Sequence, residues 1–170
     1  QVMDEARHTE FFQRYLGERV GKVYEQAPVG RELFDYILAD PRWYIKTIGL
    51  QLVGETFAVA LFKMLSETAK DELLRYGCKM ILRDEARHMG FGMLSLPEQV
   101  KEMDAQERQE MEEFTIYFLR NTLTGGFPKE AYLDMGFNKA EIKEIRDLRK
   151  EKAQSADFAM FRSLFKKEMH

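Results

Sequence analysis

The stretch Arg83-Asp84-Glu85-Ala86-Arg87-His88 decides how this chain is read, because its last five residues repeat Asp4-Glu5-Ala6-Arg7-His8 near the start. In a helix, residues three apart project within about 60° of each other, so Glu85 and His88 face one way, as do Glu5 and His8. Each pair supplies a hard carboxylate oxygen and an imidazole nitrogen. The chain has only 3 histidines, and the repeat uses two of them.

Between the two copies stands Glu55, the sole acidic residue from Pro41 to Ser66, set in the apolar run Ile48-Gly49-Leu50-Gln51-Leu52-Val53-Gly54-Glu55-Thr56-Phe57-Ala58-Val59. Burying a carboxylate there is costly without a positive partner, and a metal ion is such a partner. Taken alone, Glu55 reads equally well as a solvent-side residue or one paired with an arginine. Its place between two Glu-x-x-His motifs favours the metal. A four-helix dinuclear site takes one Glu from each of two helices and a Glu-x-x-His from each of the other two. Glu55 precedes Glu85 by 30 residues. The same logic puts a further lone carboxylate roughly 30 residues before Glu5, N-terminal to residue 1. The expectation is that five of six ligands, Glu5, His8, Glu55, Glu85 and His88, lie in this sequence, and that the first core helix and sixth ligand lie upstream. A metal-bound imidazole donates its other N–H to a carboxylate. Asp4 and Asp84 suit that role, each toward the histidine of the opposite motif, with Arg7 and Arg87 holding the aspartates.

The bulk composition excludes other classes. Net charge is -3 with a pI near 5.8, and both signs are mixed along the chain, so neither nucleic acid nor an anionic membrane is indicated. One cysteine, Cys78, excludes a disulfide framework, a CxxC redox pair and a rubredoxin-like iron site, fits a cytoplasmic setting, and reads as a small buried residue. The run from Ile48 to Leu65 is interrupted by Gln51, Glu55 and Lys63 and reads as a buried helix rather than a membrane span.

Helical periodicity runs throughout, and no alternating stretch is bounded by hairpin turns, so the fold is expected to be all-α. The first helix is under way at Val2 and extends to Gly17, Gly21 or Ala27, with Pro28 as a stop. A short helix is expected over Arg31–Ala39. Asp40-Pro41 reads as an N-cap and first helical residue for a helix to about Ser66. The next helix starts near Thr68–Asp71, carries the second motif and ends near Leu94, before Pro97. Asp104 with Glu107 reads as a capping box for a helix to about Leu123. Thr124-Gly125-Gly126-Phe127-Pro128 reads as a loop, Lys129–Met135 as a short helix closed by Gly136, and Asn138 with Glu141 as the start of a long charged helix. The whole is taken as one domain of residues 1–170, with a metal-binding part over 1–95 and accessory helices over 98–170.

From about residue 1 to Leu94 the sequence resembles the ferritin-like di-iron carboxylate proteins, in the branch of ribonucleotide reductase small subunits and di-iron oxygenases. The duplicated Asp-Glu-Ala-Arg-His and the following Met89-Gly90-Phe91-Gly92 are especially similar to small stand-alone bacterial members. The resemblance implies a ferritin-like four-helix bundle core with extra C-terminal helices and metal ligands at Glu5, His8, Glu55, Glu85 and His88. It also implies two Fe ions or a Mn/Fe pair, O2, a ferredoxin-like or reductase electron donor, a small-molecule substrate and a homodimer. The activity implied is that of an oxygenase or oxidase, such as a monooxygenase. Phe12 stands where reductase subunits usually place a radical tyrosine, and Tyr15 reads as a packed aromatic. Ile81 stands where arylamine N-oxygenases carry an extra histidine. A reductase-like subunit without that tyrosine, and an iron-handling or structural bundle, are the competing readings. Phe12, Phe57 and Gly92 are candidates for lining a substrate pocket, and packed core is the bland alternative. Thr47 and Thr56 read as helix hydroxyls bonded to their own backbone.

Overall fold

A computed structural model describes residues 1–125 and 128–155. Among them every regular element is helical: α1 (Val2–Tyr15), α2 (Pro28–Ala39), α3 (Trp43–Lys46), α4 (Glu55–Thr68), α5 (Glu72–Glu102), α6 (Ala105–Thr124), α7 (Lys129–Asp134) and α8 (Lys139–Ser155). Wide π-type turns extend α1 over Leu16–Val20 and join α3 to α4 over Thr47–Gly54. The first of these closes with the Gly21 N–H on Leu16 O, five residues back at 2.7 Å, and Gly21 takes a left-handed φ of 71° that a side chain would strain.

Several helix ends follow local chemistry. The Asp104 carboxylate accepts from the Glu107 N–H at 2.9 Å while Glu107 accepts from the Asp104 N–H at 3.0 Å, so two orphan donors of α6 are satisfied together. Asn138 and Glu141 make the same exchange at α8, at 3.1 and 2.7 Å. Gly136 closes α7 with φ of 93°. Of the loop expected over 124–128, Gly126 and Phe127 lie outside the described residues, as does anything of the last helix beyond Ser155.

Three prolines or their neighbours depart from expectation. Pro28 opens α2 rather than merely ending what precedes it, because its fixed φ and missing N–H suit a first helical position. Asp40 is not the N-cap of the following helix, which starts at Trp43. Its Oδ1 instead accepts from the Arg42 backbone N–H and Arg42 Nε, both at 2.9 Å, a turn that competes with helix initiation. Pro97 lies inside α5, which runs on to Glu102 despite the backbone hydrogen bond that proline forgoes.

The chain divides into two compact units, one of Gln1–Val23 and Leu50–Leu96, the other of Tyr24–Gly49 and the described part of Pro97–His170. Tyr24–Gly49 therefore groups with the later helices rather than with the repeated motifs. In that second unit α6 packs against α2, α3 and α8, around Leu33, Ile37, Tyr44, Ile45, Met111, Phe114, Phe118 and Ile142. Lys46 Nζ donates to the carbonyls of Ile37, Leu38 and Asp40 at 2.8–3.0 Å, which covers the orphan acceptors and the negative end of α2.

The first unit has a different interior. Apolar Leu52, Val53, Cys78 and Ile81 are buried there beside His8, Glu55, Glu85 and His88. α1 and α5 run antiparallel and close together, since Phe11 sits where a side chain on Gly77 would be. By length and composition the helical stretch Trp43–Thr68, 26 residues, suffices to cross a membrane, and 28% of its most apolar window is buried. It is thus less buried than its apolar sequence suggests.

Candidate metal centre

α1 presents Glu5 and His8 on one face, with its N-cap Gln1 four residues before Glu5. α5 presents Glu85 and His88, and α4 begins with Glu55. One ligand atom from each of Glu5, Glu55, Glu85 and His88 lies within 4.8 Å of the others. His88 Nδ1 is 3.0 Å from Glu85 Oε2, 3.1 Å from Glu5 Oε1 and 3.6 Å from Glu55 Oε1. His8 faces the same carboxylates, with Nδ1 3.3 Å from Glu85 Oε1 and 3.5 Å from Glu5 Oε2. The two rings are 6.2 Å apart. Glu55 and Glu85 are buried, whereas the Glu5 side chain is 48% exposed and marks the open side of the cluster.

Behind the rings the motifs exchange partners. His8 Nε2 is 3.1 Å from Asp84 Oδ2, and His88 Nε2 is 3.1 Å from Asp4 Oδ2. Each Nε2 is thus engaged outward by an aspartate and each Nδ1 faces the cluster, that of His88 within hydrogen-bond distance of Glu85 Oε2 at 3.0 Å. Arg7 pairs with Asp4 and lies 3.8 Å from Asp84; Arg87 pairs with Asp84 and lies 3.4 Å from Asp4. The hydrogen bond from His88, followed by Arg7, holds the Asp4 carboxyl down to about 2. Asp84 is lowered likewise, first by His8 and then by Arg87.

The donor set fits a cation. His8 Nδ1 is buried with no hydrogen-bond partner. With Nε2 engaged by Asp84, this nitrogen faces the Glu5 and Glu85 carboxylates, and a cation seated between them would satisfy all three. Glu55 carries the same message: burial first, then its hydrogen bond to and repulsion from Glu85, pushes its carboxyl up to about 8. Four residues offering oxygen and imidazole nitrogen around one largely buried point, with His8 beside them, suit Fe, Mn or Zn, and each imidazole is already oriented by a carboxylate.

The remaining candidates are placed as follows. Phe12 stacks on Phe62 at 5.4 Å, and Phe57 stands half exposed. Gly92 is buried, and a Cβ there would come within 2.9 Å of Gln51 Cγ, so the room beside it holds Gln51. The hydroxyls of Thr47 and Thr56 donate to Trp43 O and Leu52 O, at 3.2 and 2.7 Å. Tyr15 stacks on Phe11, and burial raises its phenol. Ile81 and Cys78 are buried, and burial raises the Cys78 thiol.

Two site residues escape the motif reading. Gln1 Nε2 donates to Glu55 Oε1 at 2.6 Å, and Gln51 Nε2 donates to the His88 backbone carbonyl at 2.7 Å. Their only mark in the sequence is position, each four residues before a cluster glutamate.

Comparison with protein-family models, with curated proteins and with solved structures gives no match to this chain. What fold and site define is an all-helical protein with a largely buried carboxylate–imidazole cluster that has the donors to hold a metal ion.

Proposed function

We propose that this chain is a non-haem di-iron oxygenase or oxidase of ferritin-like architecture, acting with O2 on a small organic substrate. The observation that carries the reading is the pairing of two identical motifs. Glu5, Glu85 and His88 of the two motifs gather with Glu55, His8 Nδ1 faces Glu5 and Glu85 beside them, and each histidine is held by the aspartate of the other set. One such motif is an ordinary solvated helix face; two with exchanged aspartates have no comparable structural explanation.

Glu5, His8, Glu55, Glu85 and His88 would hold the metals, with the histidines binding through Nδ1. Iron bound there would supply electron transfer to O2, and a ferredoxin-like donor would restore the electrons. The chain's own residues prepare this chemistry. Asp4 and Asp84 accept from the Nε2 atoms and hold both rings turned inward. Arg7 and Arg87, both largely exposed, neutralise those aspartates from the solvent side. The carboxylates of Glu55 and Glu85 are shielded from water, which strengthens their pull on a cation. Glu5, on the open side, is the cluster carboxylate that an entering substrate would meet.

The test is to load the protein anaerobically with Fe(II), expose it to O2 and follow the visible spectrum and organic products beside His88→Ala. The reading expects a transient visible band, O2 uptake coupled to a product, and loss of both in His88→Ala. Iron oxidation with O2 uptake but no product from any substrate would support iron handling instead.

A further inference from the structure

Beyond the ligands and their aspartates lies a layer one turn away at one end of the cluster: Gln1 four residues before Glu5, Gln51 four before Glu55, and Gly92 four after His88. These positions meet because α1 and α4 run the same way and α5 runs against both, as the Phe12–Phe62 and Phe11–Gly77 packing shows at the other end. Opposite this layer, the residues one turn beyond the ligands are Phe12, Val59 and Ile81, all apolar. The cluster thus has one carboxamide end and one apolar end.

At the carboxamide end each donor serves the site. Gln51 Nε2 reaches 2.7 Å across to the carbonyl of His88, an oxygen that a helix already offers to the N–H four residues on. The second donor ties the turn of α5 carrying His88 to the segment leading into Glu55. Gly92 makes this possible. It is buried against Gln51, and a methyl in place of its hydrogen would stand 2.9 Å from Gln51 Cγ, closer than side-chain carbons approach. A glycine within α5 otherwise weakens the helix relative to alanine, so the close approach offsets a real penalty. Gln1 makes the matching contact, a 2.6 Å hydrogen bond to the Glu55 carboxylate from the neighbouring helix.

We propose that Gln51, seated against Gly92, is a positioning residue for the metal centre: its carboxamide fixes the turn that aims His88 Nδ1 at Glu5, Glu55 and Glu85. The inference rests on the metal reading above and extends it to residues with no ligand chemistry of their own. A glutamine is suited to this because it donates to a carbonyl without adding charge beside the three carboxylates. Gln51→Met keeps the length and volume and deletes the donor. Gly92→Ala keeps the donor and displaces it. If both act through one contact, each weakens metal binding and the double variant is no worse than either alone.

The experiment is a Co(II) titration of the full chain, followed by its visible ligand-field absorption, on parent, Gln51→Met, Gly92→Ala and the double variant, with far-ultraviolet circular dichroism and thermal melting of the metal-free forms alongside. The expected result is a 10- to 100-fold loss of Co(II) affinity in each variant, the range found for groups that orient metal ligands, with altered Co(II) band intensities and unchanged helix content. The double variant is expected to match the singles. Parent-like affinity and bands in Gln51→Met would overturn the inference, as would additive losses in the double variant. If the parent itself takes up no Co(II), the metal reading fails before the positioning of His88 is at issue. Should Gly92→Ala not fold, Gln51→Met decides alone.

Discussion

His8 Nε2 lies 3.1 Å from Asp84 Oδ2, a contact between side chains 76 residues apart in the chain. The reciprocal contact joins His88 to Asp4, also at 3.1 Å. Each copy of the repeated motif therefore provides the support for the other copy's histidine. The arrangement makes α1 and α5 interdependent, and it leaves both Nδ1 atoms turned toward the carboxylates.

Replacing Asp84 by Asn removes the anion that holds the His8 tautomer while keeping the size of the side chain. Metal affinity is expected to fall 10- to 100-fold, and Asp4→Asn is expected to do the same through His88. Competition titration with a coloured chelator measures this directly. Equal affinity in parent and both variants would show that the exchanged aspartates have no part in metal binding.

Glu55→Gln is expected to act in opposite directions on the two forms of the protein. Without metal, three carboxylates crowd one largely buried point, so neutralising one relieves repulsion and stabilises the fold by on the order of 1 kcal/mol, read as a higher melting temperature. With metal present, the variant loses an anionic ligand, and the stabilisation on loading shrinks by linkage. Melting curves with Fe(II) or Mn(II) and with excess chelator give both signs. A fall in metal-free stability would contradict the repulsion argument.

The fold was legible where chemistry is local and the site where it is duplicated. Asp104, Glu107, Asn138 and Glu141 announce their helix ends because a capping box depends only on residues three apart. The grouping of Glu55 with the two motifs follows from helical spacing and the cost of a carboxylate in an apolar run. Asp40 was misread because an aspartate before proline supports either an N-cap or a turn, and the choice was made by Arg42, whose Nη1 also reaches Glu110 at 2.6 Å. Gly92 suggested open space, but only the facing helix decides whether a glycine's room is empty, and Gln51 fills it. Gln51 stood out only as a polar break in the apolar run, and Gln1 not at all, since a neutral amide has no ligand chemistry to announce it.

Gly77→Ala tests the close approach of α1 and α5. A Cβ at this position meets the Phe11 ring, so the helices must part or the ring must turn. The expected cost is about 1–3 kcal/mol in urea unfolding, as for other overpacked contacts. Combining it with Phe11→Ala is expected to be less damaging than the sum of the two. Strict additivity would mean that Phe11 is not what Gly77 makes room for.

Acid sensitivity of the second unit centres on Asp40. The hydrogen bond from Arg42 holds its carboxyl down to about 2, against an unfolded value near 4. The folded state binds fewer protons than the unfolded state across that interval, so this pair adds stability above about pH 4 and loses it as pH falls to about 2. Arg42 is 36% exposed, and solvent screening limits the contribution to about 1 kcal/mol. Urea unfolding of parent and Arg42→Leu at pH 5 and pH 2.5 reads it out. The gap between the two proteins is expected to narrow at the lower pH; a constant gap would assign the effect of Arg42 to packing.

The most direct measurement of the central claim is anomalous X-ray scattering from crystals of the protein loaded with Fe(II) or Mn(II). The account predicts two peaks within the cluster, one that His8 would hold and one that His88 would hold, both among Glu5, Glu55 and Glu85. No peak between Glu5, Glu55 and Glu85, or metal bound only elsewhere on the chain, would contradict it.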